Sequence, residues 1–79
     1  MKPIYIVLCY DSPIGVFYGD ESSAFILAKT QGEAADEHGE YDPISIHKVA
    51  QQGEVSMNNS DAFMMWEDGK MIINPFKKL

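Results

Sequence analysis

Six side chains near the middle of this chain are of types that bind hard metal ions: Asp36, Glu37, His38, Glu40, Asp42 and His47. Their spacing builds no site. Asp36 and Glu40 would share a helix face four positions apart, but Gly39 falls between them as a helix-ending residue. Neither a zinc-protease helix nor a calcium loop is matched. The expectation is a solvated acidic helix end, with no metal and no cofactor.

Covalent catalysis would need a cysteine or serine beside a histidine and an orienting carboxylate. Cys9, the single cysteine, lies in an apolar run and reads as a small buried hydrophobe. His47 falls on a strand, where a half-exposed surface imidazole is expected rather than a base. Twelve carboxylates in 79 residues guarantee that some pair lies close, so proximity alone argues no acid/base chemistry. A core this small can hardly enclose a pocket, and the chain is read as a non-enzyme.

The stronger signal is charge. Eight of the twelve acidic residues fall between Asp11 and Asp42, where Lys29 is the only cation, so this segment carries −7 and the remainder about +1. A one-sided negative field repels nucleic acid and attracts basic protein surfaces. Arginine is absent, which removes the side chain best suited to phosphate and guanine edges, and direct nucleic-acid binding is excluded. Tyr5, Tyr10, Phe17 and Tyr18 could stack bases, yet the cationic rail that accompanies such platforms is missing.

Those charges must be held by elements that the pattern lets one place. Residues 3–10 are β-branched, aromatic and apolar on both alternating sets, which predicts a strand inside a sheet. Asp11-Ser12-Pro13 reads as a turn into a short strand over residues 14–18. Asp20 or Ser22 can then cap a helix running to about His38, with Gly39 as its stop.

On that helix Ala24, Leu27, Ala28, Gln31, Ala34 and Ala35 gather on one side, with Phe25 and Gly32 at its edge. Gly32 costs about 1 kcal/mol relative to alanine, so it either permits close packing or marks an early helix end. The other face holds Ser22, Ser23, Lys29, Thr30, Glu33, Asp36 and Glu37, with Ile26 in its middle.

Residues 44–50 read as a strand and residues 55–57 as a weak one. Asp68-Gly69 is a two-residue type I′ hairpin signal that opposes Glu67 to Lys70, Trp66 to Met71, Met65 to Ile72 and Met64 to Ile73. Trp66, Met71, Met64 and Ile73 then share one core face, and residues 76–79 form a short basic tail. The sum is a single domain over residues 1–79: α+β, one largely antiparallel sheet of four or five strands, and one helix on one face. The lone cysteine, the seven-residue apolar run ending at Asp11 and the lack of any span of about 20 apolar residues favour a cytoplasmic chain away from membranes.

The sharper reading of the acidic segment is an interaction face. Glu33, Asp36, Glu37, Glu40 and Asp42 would imitate a row of phosphates in a basic groove, and Ile26 would be the apolar anchor. The bland reading is a face that keeps a small protein soluble. A second class of function is a self-associating structural module, a homodimer joined through a sheet edge or the hairpin.

The N-terminal half, Ile4-Tyr5-Ile6-Val7-Leu8-Cys9-Tyr10-Asp11, then Gly15-Val16-Phe17, a polar cap and an alanine-rich helix over residues 24–35, resembles small phage and prophage proteins of unassigned function. That resemblance implies a compact acidic protein that binds a host protein, with inhibitors of restriction or CRISPR defence among the class. It transfers no site residues.

Overall fold

The computed structural model describes residues 3–49 and 62–74. These form β1 (Ile4–Cys9), β2 (Ser12–Tyr18), α1 (Glu21–Glu37), β3 (Ile44–Val49), β4 (Met64–Glu67) and β5 (Lys70–Ile73). The five strands make one open antiparallel sheet in the order β2-β1-β3-β4-β5, and α1 packs on one face, an α+β fold. The weak strand expected at residues 55–57 and the tail at residues 76–79 lie outside the described residues.

The topology dictates where the helix goes. β2 and β3 both pair antiparallel with β1, so they run parallel to each other. Parallel strands cannot be joined by a tight turn and need a crossover, and α1 is that crossover. It lays Ala24 and Ala28, both fully buried, onto Tyr5 and Val7 of β1 and Ile44 and Ile46 of β3. β1 sits second from the edge and is buried on both alternations, since Ile6 and Leu8 on the opposite face are also inaccessible.

The β4–β5 hairpin has the expected register at all four pairs. Asp68 and Gly69 take φ of 52° and 79°, the two positive angles that a type I′ turn requires. Trp66, Met71 and Met64 pack against the core, whereas Ile73 is 64% exposed. Expecting all four in the core was an error of reach: β5 is the outermost strand, and one helix does not extend over its far end.

Two further expectations shift. The first turn is Tyr10-Asp11 rather than residues 11–13, because Cys9 pairs with Ser12 and Pro13 pairs with Leu8. Proline is tolerated there because β2 is an edge strand. On α1 the buried line runs Ala24, Ala28, Gly32, Ala35, so Gly32 lies at the centre of the packing face, and Gln31 and Ala34 are exposed. The indole of Trp66 occupies the space a Gly32 side chain would need. Close approach, not helix termination, is the reason for that glycine.

Candidate interaction surface

Both ends of α1 are fixed by backbone chemistry, and this sets the direction of the acidic face. At the N-terminus the Asp20 carboxylate accepts from the Ser23 backbone N–H at 3.0 Å and from the Ser23 hydroxyl at 2.6 Å. These two bonds favour the ionised form and hold the Asp20 carboxyl below its ordinary range. At the C-terminus the Gly39 N–H donates to the Asp36 carbonyl at 3.0 Å and the Glu40 N–H to the Ala35 carbonyl at 2.9 Å, with Gly39 at φ 73°. That is a Schellman turn, and it fixes the Glu40 backbone immediately beyond the last helical turn.

Ile26, Glu33 and Glu37 stand at i, i+7 and i+11, the two glutamates each within about 20° of Ile26 around the helix, and the three spread over about 16 Å of its length. All three are exposed, Ile26 by 63%, and Glu40 is exposed after them. They lie opposite the buried Ala24, Ala28, Gly32 and Ala35.

Asp36 and Asp42 do not belong to that row. Asp36 is half-buried, and its Oδ2 accepts from the Trp66 indole Nε1 at 3.0 Å. Asp42 is also half-buried: its Oδ1 accepts from the Tyr10 hydroxyl at 2.9 Å and its Oδ2 from the Cys9 thiol at 3.9 Å. Both carboxylates accept from side chains of other elements, Asp36 from the part-buried Trp66 and Asp42 from the exposed Tyr10, and the outward row of exposed carboxylates is Glu33, Glu37 and Glu40. The Asp42 hydrogen bond, followed by its charge, raises the Tyr10 phenol above its ordinary value. Ser23, expected on the outer face, is half-buried and committed to the cap.

Beside Ile26 the structure has a feature that sequence reasoning missed. A cleft of about 420 Å³ is lined by Glu21, Ser22, Phe25, Ile26, Phe63, Met64 and Ile73. Five of its seven lining residues are apolar, Ile26 and Ile73 among them exposed, and Glu21 and Ser22 are the polar ones. Phe25-Ile26 is a readable apolar pair, but no local pattern places residue 73 across from it.

The two catalytic candidates differ in exposure, Cys9 being half-buried and His47 buried. Burial first, then the negative charges of Asp42 and Glu40, push the Cys9 thiol above its ordinary value, which starves it of the nucleophilic thiolate. His47, expected half-exposed, is 1% exposed and lies 3.4 Å from the hydroxyl of Ser45, itself 5% exposed. His47 pairs with Ile6 of β1, itself buried, on the sheet face away from the helix.

Among the described residues no three acidic, histidine or cysteine side chains are grouped to hold a metal ion, and no helix is long and apolar enough to cross a membrane. Comparison with protein-family models, with curated proteins and with solved structures gives no match.

Proposed function

We propose that this chain is a small acidic binding protein without enzymatic activity, of the phage accessory type. Its helix face docks on the basic site of a host nucleic-acid-handling protein, and by occupying that site it inhibits or modulates the host protein, a defence protein in the leading case. The observation that carries the reading is the alignment of an exposed isoleucine with exposed glutamates on the outward side of a helix whose inward side is fully committed to the core.

The division of labour follows from position. Glu33, Glu37 and Glu40 supply the negative charge at the C-terminal half of α1, steering a basic surface into place. Ile26 and the cleft beside it, at the N-terminal half, receive an apolar side chain that slows release. A partner that fits both would carry lysines or arginines about 10 to 16 Å from an exposed hydrophobe.

The partner is recovered by pull-down from the native host, and its affinity is then titrated across ionic strength. Affinity is expected to fall steeply with salt. Glu33→Lys, Glu37→Lys and Glu40→Lys combined should reduce it by at least about tenfold, and Ile26→Ala should act mainly on the dissociation rate. Affinity that is unchanged by salt, or that survives the triple reversal, overturns the reading.

A further inference from the structure

The open edge at β2 carries a second interaction surface, independent of the helix face. Among the described residues β2 pairs only with β1, and its other side has no partner strand in the sheet order. The Gly19 N–H donates to the Pro3 carbonyl at 2.7 Å, which sets the phase of the ladder. Backbone groups of Gly15, Phe17 and Gly19 therefore face β1, and those of Val16 and Tyr18 point outward.

Exposed edges are ordinarily blunted by charge, proline or a bulge. Here Pro13 and the bulge opposite Val7 and Leu8 are confined to the start of the strand, and β2 contains no charged residue. The regular stretch runs from Gly15 to Tyr18, with Val16 47% and Tyr18 72% exposed, and Gly19 at φ 67° turns the chain out of the strand.

That stretch is complementary to itself. A two-fold axis at Phe17 sets Val16 against Tyr18 of a second copy, twice over. Each Val16/Tyr18 pair joins a β-branched to an aromatic side chain, a favourable cross-strand combination, and exchanges two backbone hydrogen bonds. A foreign strand would have to supply this pattern, whereas a second copy has it by identity. We infer that two copies of this chain pair antiparallel through β2 about Phe17, joining their two sheets into one.

Charge makes the inference separable from the helix-face reading. Each copy carries −6, and Asp20 and Glu21 follow directly on the strand, so the two copies repel at low salt. Dimerisation should strengthen as salt rises, opposite to docking on a basic partner. The edge lies in the plane of the sheet and the acidic face points away from it, so both surfaces can be engaged at once.

Sedimentation of the full chain over a wide concentration range, at low and high salt, reads the outcome. The expected result is a dimer fraction that grows with both concentration and salt, and that is lost in Tyr18→Lys without change in the far-ultraviolet circular dichroism. Register is read by mixing Val16→Cys with Tyr18→Cys in a Cys9→Ser background. Hydrogen-bonded partners lie about 5.5 Å apart, within disulfide span, so the mixture should cross-link while neither variant cross-links with itself. A wild-type chain that stays monomeric under every condition, a dimer that persists in Tyr18→Lys, or preferential self-cross-linking of Val16→Cys overturns the inference.

Discussion

Asp36 shows how one residue's role depends on what lies across from it. On the helix it continues the acidic face, yet the indole of Trp66 recruits it as an acceptor. Asp36→Ala should cost about 1 kcal/mol of stability, because a part-buried N–H loses its partner, while Asp36→Asn keeps an acceptor and should stay close to wild type in chemical denaturation. Gly32 is the neighbouring case. Alanine there gains about 1 kcal/mol of helix propensity but drives into the Trp66 ring system, and overpacking of that kind costs about 1 to 3 kcal/mol. Gly32→Ala should therefore be destabilising on balance, with a shifted Trp66 emission as its signature.

Asp20 gives a pH dependence. Its folded-state value is lowered by the Ser23 bonds, so the unfolded chain takes up the proton first as pH falls. The cap's contribution is complete above the ordinary carboxylate range and disappears as pH drops through the folded value. Asp20→Ala should lower the unfolding midpoint by several degrees near neutrality, and the gap to wild type should close in strong acid.

Among the elements, the β4–β5 hairpin is the most local, and every pairing in it was legible from Asp68-Gly69 and the alternation around it. Its weak point is the turn. Gly69 at φ 79° meets no atom within 4 Å, so the whole penalty for a side chain there is backbone strain. Gly69→Ala should destabilise by about 1 kcal/mol with no change in core packing, a combination that thermal unfolding and Trp66 fluorescence together would show. β2 is the contrasting element. Its residues were recognisable as strand-forming, but that Pro13 lies within it and that the strand is an edge are consequences of pairing with β1. The same is true of α1: capping residues and alanines announced a helix, while the turn of its buried line toward Gly32 was set by Trp66, 34 positions away.

At the scale of the whole molecule the −6 charge should act with opposite sign on the two proposed surfaces. If the two proposals hold, docking of Glu33, Glu37 and Glu40 on a basic partner should weaken with salt, and pairing of two acidic copies through β2 should strengthen with it. Measuring partner affinity and self-association in one ionic-strength series should give slopes of opposite sign. Two slopes of the same sign would show that at least one surface has been assigned to the wrong occupant.

From the residues alone came the properties that depend on neighbours in sequence: the α+β class, the helix and its stop at Gly39, the hairpin register, and the concentration of charge before residue 43. Capping, turn chemistry and periodicity are local interactions, and local spacing is enough to read them. Tertiary structure decided which carboxylates remain free. Asp36 and Asp42 meet the donors Trp66, Tyr10 and Cys9 across 30 or more positions, and Ile26 gains its cleft from Phe63, Met64 and Ile73 in the same way. A side chain's availability is settled by contacts that close only when the sheet has formed and the crossover helix lies on it.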